Sequence, residues 1–507
     1  MSTSSIPSSP ADLAVIAQLR NELLLAKLQI EVLEERLRLQ RIKKYGQGSE
    51  KLSDAQLELL ELELGVSNLE VKAESQREPL ARSCEQRSRR PHPGRQSLPA
   101  HLPRVEHILA CTPEQETCQR CGKETVVIGY DESERLDVEP AKYFVEVIKR
   151  EKRACPDCEE EGVKAAPLPP QIIDKGLASN QVVIHTVVQK YCDHLPLYRQ
   201  SAILERDTGL EVSRATLDGW VLTVGELLMP LSGAMRKELL RGTYIQADET
   251  PVPVQMRDGR EKHHQAYLWQ YGRPGGSVVF DFRLSRGRDG PKEFLGKFDG
   301  ILQTDGYAAY DHVGGRNLVH AGCWSHVAIH FRKVLELNPR DPLATPIVEH
   351  IRDLFAIDSE ARQQGLSLET RQVLRLENAR PLLDAIRKQI EMARTMALPA
   401  SALGKACNYT LHLWEKLTRF LEYPELELSN NPAENSMRPV AVGRKNWIHV
   451  GGAQAGPKIA AILSVVESCR RLKISVRHYL RAILPGIADV PISRLPELTP
   501  GTWALRR

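Results

Sequence analysis

Apolar residues recur in a heptad pattern near the start of the chain. Over residues 12–42 they form two alternating seven-residue series, Ile16, Leu23, Ile30 and Leu37 in one and Leu19, Ala26 and Leu33 in the other. Such an a/d seam predicts a coiled coil, so we expect residues 1–43 to mediate self-association into a homo-oligomer. The alternative is an amphipathic helix that packs on its own domain.

Residues 44–104 follow, and apolar periodicity is almost absent from their second part, residues 72–104. The stretch 72–104 is rich in arginine and proline and carries net positive charge. This composition predicts a flexible basic linker. Such a tract can neutralise DNA phosphates without reading a base sequence, although a merely solvated linker remains the alternative.

Two CxxC pairs follow, Cys118 with Cys121 and Cys155 with Cys158. Each pair can place two thiolates on one metal, and two pairs complete a closed tetrahedral site. Because residues 143–148 between them alternate like a strand, we predict a zinc ribbon over residues 105–170. Its Zn²⁺ is expected to be structural, since a closed site leaves no position for water. The alternative is four thiols without metal.

Helical spacing of apolar residues returns over residues 181–228. Segments 182–191 and 197–205 precede a turn at Gly209, and Ser213 is suited to cap a helix through residues 220–221. Two helices joined by a glycine-containing turn are typical of a helix-turn-helix. We therefore predict a DNA-binding module over residues 171–240, with an ordinary helical bundle as the alternative.

From residue 242 onward, short runs of β-branched and aromatic residues replace the helical pattern. Strands are predicted at 244–248, 265–271, 277–282, 300–305 and 317–322, with a short helix near Pro291. This order matches the ribonuclease-H-like fold. We predict such an α/β catalytic domain over residues 241–450, with a large helical insertion at 331–423, followed by a C-terminal helical region at 451–507.

Two predicted strands end in aspartate, at Asp248 and Asp305. Adjacent strands can present such carboxylates side by side, where they repel each other unless a cation lies between them. Mg²⁺ prefers oxygen ligands, and a pair of such ions can hold the attacking and leaving oxygens of a phosphoryl displacement. The aspartates therefore predict a Mg²⁺ or Mn²⁺ site for phosphoryl transfer.

Glu434 is the candidate for the third carboxylate that such a site needs. It follows Asn431 and Pro432, which suit the cap and the first turn of a helix. The same spacing is close to a capping box, in which the glutamate only bonds the cap amide. Catalysis and capping therefore both stay open at this point.

Several other residues bear on this prediction. The basic residues Arg438, Arg444 and Lys445 favour a surface that binds DNA phosphates, with a solvated or ion-paired face as the alternative. Cys323 and His326 form a single potential metal-binding pair, for which a structural corner is the preferred interpretation. The acids that compete as metal ligands are Glu249, Asp281, Asp299 and Asp311.

Overall composition limits the classes of protein that the chain can be. With 69 Lys plus Arg against 65 Asp plus Glu, the net charge is only +4, so any DNA-binding surface must be local. No apolar run is long enough for a membrane span, and the first twenty residues lack signal-peptide character, so we expect a cytoplasmic protein. Ten cysteines are too few for a disulfide scaffold of this size.

Several blocks resemble the transposases of the insertion sequence sixty-six family. The resemblance lies in residues 190–221, in ADETPVPV from Ala247, in TDGYAAY from Thr304, and in NNPAENSMRPVAVGRKNW from Asn430. KYGQGSEKL from Lys44 fits as well, and the two CxxC pairs look like that family's zinc-binding region.

This resemblance implies a DDE-type enzyme that cuts and joins DNA. Asp248, Asp305 and Glu434 match the family's metal-binding acids. Water would attack a phosphodiester at the element end, and the freed 3′-hydroxyl would then attack target DNA. The resemblance also implies accessory proteins encoded by the same element.

Two alternative functions remain at this stage. One is a non-catalytic DNA-binding regulator built on the zinc and helix-turn-helix modules, which has no use for three convergent acids. The other is a nuclease or resolvase with the ribonuclease-H-like fold, which cuts without joining.

Overall fold

The computed structural model describes residues 143–153, 164–256 and 263–506, together with the single positions Leu19, Leu23, Ala26, Lys27, Ile30 and Arg120. Contacts group the chain into two units, Met1–Lys44 with Glu146–Arg507, and Tyr45–Val145. The zinc-ligand candidates Cys118, Cys121, Cys155 and Cys158 and the basic linker lie outside the described residues. Within the residues that the structure describes, no helix is both long and apolar enough to cross a bilayer.

A five-stranded mixed sheet forms the centre of the first unit. Its strands are β3 (Tyr244–Gln255), β4 (His263–Gly272), β5 (Val278–Arg283), β6 (Ile301–Gln303) and β7 (Val319–Ala321), after a short hairpin of β1 (Lys152–Arg153) and β2 (Lys164–Ala165). The order across the sheet is β5-β4-β3-β6-β7, with β3-β4 and β4-β5 antiparallel and β3-β6 and β6-β7 parallel. This arrangement is compatible with the ribonuclease-H-like fold.

Strand β3 does not end at Asp248, as the sequence pattern predicted, but continues to Gln255. The added part contains Pro251 and Pro253, although proline cannot donate to a ladder. Strand β6 pairs only with residues 244–246, so the second half of β3 is open on that side. There the Pro253 carbonyl accepts from Val450, and the Gln255 N–H donates to Gly451. The two prolines are therefore tolerated, because no neighbouring strand requires a backbone N–H donor at their positions.

Three helices precede the sheet: α1 (Asn180–Tyr191), α2 (Leu197–Thr208) and α3 (Arg214–Leu239). Ser213 caps α3 as predicted by accepting a hydrogen bond from Thr216, and Gly209 ends α2 at a φ of 71°. Helix α3 extends well beyond residue 221, and its buried face belongs to the same hydrophobic core as the sheet. The helix-turn-helix function stays a prediction. Residues 214–216, in the first turn of α3, are exposed.

The free edge of β5 is covered by helix α12 (Ala455–Arg471), which packs between β5 and α3. The hydroxyls of Ser464 and Ser468 accept hydrogen bonds from the N–H groups of Phe280 (2.8 Å) and Val278 (2.9 Å). Ser464 interrupts a long apolar run in the sequence, and the structure shows why. Unpaired donors at a sheet edge need partners, and these serines supply them.

A large group of helices separates β7 from the helix that carries Glu434. It comprises α5 (Trp324–Leu337), α6 (Ala344–Gln363), α7 (Leu368–Leu374), the π-helical turn Arg375–Ala379, α8 (Arg380–Met396), α9 (Ala402–His412) and α10 (Trp414–Thr418), between α4 (Asp289–Leu295) and α11 (Asn431–Trp447). These helices form a second hydrophobic core with Tyr244, Ile301 and Ala321 of the sheet. The chain ends with α13 (Val476–Ile483) and α14 (Pro500–Leu505).

The structure describes only part of the predicted zinc-binding domain and a few residues of the predicted coiled coil. Residues 143–150 form no strand, contrary to the alternating pattern, because no partner strand pairs with them among the described residues. Strands β1 and β2 instead pair on either side of the segment that contains the second CxxC. Leu19, Leu23 and Ile30 lie in a helix and are more than half exposed. Zinc binding and self-association stay predictions.

Candidate active site

Asp248 and Asp305 occupy matching positions on neighbouring parallel strands. The register pairs Gln246 of β3 with Gln303 of β6, and each aspartate lies two residues further along its chain. Because side chains alternate along a strand, this equal offset favours the same side of the sheet for both carboxylates. Gly306 follows Asp305 with a φ of 93°, a left-handed conformation that glycine adopts readily and that turns the chain away.

Buried amides fix the segment that leads into α11 against these two strands. The Gln303 side chain donates to the Glu427 carbonyl (2.7 Å), and that of Gln246 donates to the Ser429 carbonyl (3.1 Å). Asn430, fully buried, donates to the Ala247 carbonyl (3.3 Å). These bonds place the start of α11, and therefore Glu434, next to the strand positions of the aspartates.

Glu434 does not serve as a capping glutamate. Helix α11 begins at Asn431, so its N-cap is Asn430 and not Asn431, and no side chain caps it. The Asn430 N–H that a capping box would use donates instead to Sγ of Cys323 (3.4 Å). Oε1 of Glu434 is buried and has no hydrogen-bond partner within the described parts of the chain. The capping interpretation is therefore not supported, and the carboxylate is available for a ligand.

The pKa of Asp248 responds to the other two acids. It is raised to about 8, mainly by burial and then by the negative charges of Glu249 and Asp305 and, more weakly, of Glu434. The Glu249 N–H donates to Oδ1 of Asp248 (3.0 Å) and opposes the rise. A carboxylate whose ionisation is disfavoured by neighbouring negative charge is one that a divalent cation stabilises. The oxygen donors of these acids suit Mg²⁺ or Mn²⁺ chemically, although among the described residues the three acids do not form a group whose ligand atoms all lie within 4.8 Å of one another.

The competing acids are all engaged elsewhere, which weakens them as metal ligands. Each one forms an ion pair or accepts a backbone hydrogen bond. The pairs are Glu249 with Arg286 (2.7 Å), Asp281 with Arg283 (2.7 Å), Asp311 with Lys416 (2.6 Å), and Asp299 with the N–H of Asn317 (3.0 Å).

The three basic residues of α11 have different environments. Arg438 is exposed and lines a cleft of about 290 Å³ together with Glu434, Asn431 and Asn435. Lys445 is also exposed. Arg444 donates to the hydroxyl of Thr250 (2.9 Å) and to the Pro251 carbonyl (2.5 Å), so it fastens α11 to β3. The geometry thus favours Arg438 over Arg444 as a contact for DNA beside the acids.

The raised pKa of Asp248 predicts a pH-dependent response to metal. Because its folded pKa exceeds the ordinary value of about 3.9, its contribution to stability is complete below that value and is lost as pH rises towards 8. Metal must also displace a proton below pH 8. Differential scanning fluorimetry should therefore show a larger Mg²⁺-induced rise in melting temperature at about pH 8.5 than at about pH 6, and a much smaller rise in D248N. An equal rise at both pH values would contradict the assignment.

Sequence reasoning missed the residues that position the acids. Gln246 and Gln303 bond to each other (2.8 Å) as well as to the segment before α11. A signal was present, since each aspartate is the last residue of a Gln-x-Asp triplet at the end of a predicted strand. The buried Asn430, two residues before the proline, carried no comparable signal.

Models of known protein families match three stretches of the chain. A family model described as "Transposase IS66 family" matches residues 175–458 and so includes all three acids. A "zinc-finger binding domain of transposase IS66" matches residues 115–159, and a "Transposase C of IS166 homeodomain" matches residues 32–106.

Similar chains occur in Sinorhizobium fredii (strain NBRC 101917 / NGR234). The uncharacterized protein y4qI is 32% identical over 87% of this chain and 82% of its own length. The uncharacterized protein y4jD is 33% identical over 80% of this chain and 81% of its own. With a family model matching more than half of its residues and relatives aligned over most of their lengths, the chain belongs to the IS66 transposase family.

Proposed function

We propose that the protein is a DDE-type transposase that cuts DNA at the ends of an insertion sequence and joins those ends to target DNA. The observation that carries the proposal is the convergence of Asp248, Asp305 and Glu434. They come from β3, from the end of β6 and from α11, and the charges of Asp305 and Glu434 contribute to the raised pKa of Asp248 although the three are far apart in sequence.

Each acid would contribute to metal binding from a different element of the fold. Asp248 and Asp305 would hold Mg²⁺ or Mn²⁺ from adjacent strands, and Glu434 would complete the ligand set from α11. A bound pair of such ions would stabilise the charge on the attacking and leaving oxygens of the phosphodiester. The buried glutamines below the site hold α11 in place, so the third carboxylate needs little reorganisation when substrate binds.

The surrounding modules would bind DNA and assemble the complex. Arg438, which lines the cleft beside Glu434, and the exposed Lys445 further along α11 would contact phosphates, with Arg444 stabilising the helix that presents them. Cys118, Cys121, Cys155 and Cys158 would hold structural Zn²⁺ in the region that the zinc-finger model matches. The homeodomain match at residues 32–106 supports DNA binding there, and the heptads before it support homo-oligomerisation. Accessory proteins of the same element are further expected partners.

A strand-transfer assay tests this proposal against its alternatives. Full-length protein, Mg²⁺, a target duplex and a duplex with a pre-cut element end should give joined product, and chelation by EDTA should abolish it. Cleavage of an uncut end without any joining would favour a nuclease. Binding without cleavage or joining would favour a non-catalytic regulator.

A further inference from the structure

A second group of metal-ligand side chains lies beside Glu434. Sγ of Cys323, a ring nitrogen of His326 and a carboxylate oxygen of Glu434 all lie within 4.8 Å of one another. Cys323 is the N-cap of α5, His326 lies in its first turn, and α11 brings Glu434 from far along the chain. Zinc bonds of about 2.3 Å to sulfur and about 2.0 Å to nitrogen require ligand atoms at such short separations.

The gap between two of these ligands is suited to an ion. Nδ1 of His326 and Oε1 of Glu434 lie 3.7 Å apart. This exceeds the ordinary N–H···O distance of about 2.7–3.2 Å. Both atoms are buried and have no hydrogen-bond partner among the residues that the structure describes. Buried polar atoms normally have a partner, and a cation between the two would serve both.

Backbone groups around Cys323 supply hydrogen-bond donors to its sulfur. The N–H of Asn430 donates to Sγ (3.4 Å), and the backbone N–H groups of Ser325 and His326 also contact it. A thiol that coordinates a divalent metal gives up its proton. Backbone donors at the start of α5 would then stabilise the sulfur charge, as hydrogen bonds to metal ligands commonly do.

We propose that Cys323, His326 and Glu434 form a binding site for a thiophilic divalent cation, with Zn²⁺ the ion that best fits one sulfur, one nitrogen and one oxygen ligand. This site is distinct from the four-cysteine zinc site predicted nearer the N-terminus. Its three protein ligands leave a fourth position open.

The consequence for catalysis rests on the proposed function, whereas metal binding does not. Glu434 belongs both to this group and to the three acids. An ion bound to Cys323 and His326 would therefore fix the orientation of the third catalytic carboxylate. Cys323 and His326 would act on the reaction as positioning residues.

Zinc stoichiometry tests the proposed site directly. Full-length wild type, C323A and H326Q are dialysed against Zn²⁺, freed of excess metal, and analysed by inductively coupled plasma mass spectrometry. Each variant should bind one zinc equivalent fewer than wild type. C407A is the matched control, because Cys407 is a buried thiol in α9 outside the cluster, and it should keep the wild-type content.

Two features make the outcome decisive. His326 has a partly exposed side chain, so H326Q should fold even where C323A does not, and circular dichroism checks both. Equal zinc content in wild type and folded H326Q would overturn the proposal and leave a His326–Glu434 ion pair. The measurement uses neither DNA nor Mg²⁺, so a failed strand-transfer assay with the expected stoichiometry would contradict only the proposed function.

Discussion

Replacing Asp248 by asparagine should abolish cleavage and joining of element-end DNA while DNA binding stays close to wild type. The substitution keeps the size of the side chain but removes the charge of a proposed metal ligand. The metal would be held between Asp248 on β3 and Asp305 at the end of β6. Losing several kcal/mol of transition-state stabilisation corresponds to a rate decrease of about 10³-fold or more, at roughly tenfold per 1.36 kcal/mol. E434Q should show the same loss of activity, because Glu434 is the proposed third metal ligand. The variant should fold normally, since the Glu434 carboxylate does not cap α11.

The matched control is D281N. Asp281 lies in β5 of the same sheet and is partly buried, but it pairs with Arg283. Its variant should retain activity within a few-fold of wild type. Rates come from the strand-transfer assay, and binding from fluorescence anisotropy with labelled end DNA. If D248N cut and joined at the wild-type rate, the catalytic assignment would be refuted.

Replacing Asp358 by alanine should destabilise the protein more than the same substitution at any other acidic residue of α6. Its carboxylate is almost fully buried and accepts from Arg375 (2.6 Å) and Arg371 (2.9 Å). Burial alone would raise the pKa of Asp358, but these two arginines outweigh it and lower the pKa below its ordinary value. Removing the acid would leave the buried Arg375 without its counter-charge and Arg371 with Glu427 alone, at a cost of about 3–5 kcal/mol.

The effect of D358A can be separated from a general effect on the helix. Asp353 lies in the same helix but is 48% exposed in its side chain, so D353A should change the free energy of unfolding by less than about 0.5 kcal/mol. Urea denaturation followed by circular dichroism measures both variants. Equal midpoints for D358A and D353A would show that the buried network contributes little.

The same network connects the helical insertion to the catalytic acids. Arg371 also contacts Glu427 (3.2 Å), and the Glu427 carbonyl accepts the hydrogen bond from Gln303 described above. Arg375 donates in addition to the Phe420 and Leu426 carbonyls. The insertion therefore supports the segment that leads into α11. We infer that it helps to set the position of Glu434.

Local sequence patterns predicted the positions of the strands but not where every element begins and ends. Alternating apolar residues located all five strands, and Ser213 was recognised as a cap because its signal is confined to one turn. The extension of β3 past Asp248 was missed because its residues include two prolines, and only the structure shows that β6 does not pair with that part of the strand. The N-cap of α11 was misplaced by one residue, since Asn430 and Asn431 are chemically alike and only the buried contacts of Asn430 distinguish them.

Long-range contacts explain the other differences. The sequence showed Cys323 and His326 as an incomplete metal-binding pair, because the third ligand comes from a helix beyond the insertion. Periodicity carries no information about which distant acid will meet them. The sequence likewise leaves capping and catalysis open for Glu434; the hydrogen bond from the Asn430 N–H to Cys323 argues against capping, and catalysis stays a prediction.

Anomalous scattering from Mn²⁺ would test the central claim most directly. Crystals of the full chain with a pre-cut element end and Mn²⁺ should show metal bonded to the carboxylates of Asp248 and Asp305, with Glu434 as a further ligand of the same centre. Manganese–oxygen distances should be close to those of octahedral oxygen sites, about 2.1 Å. Manganese bound elsewhere, or a centre with Glu434 turned away from both aspartates, would contradict the account.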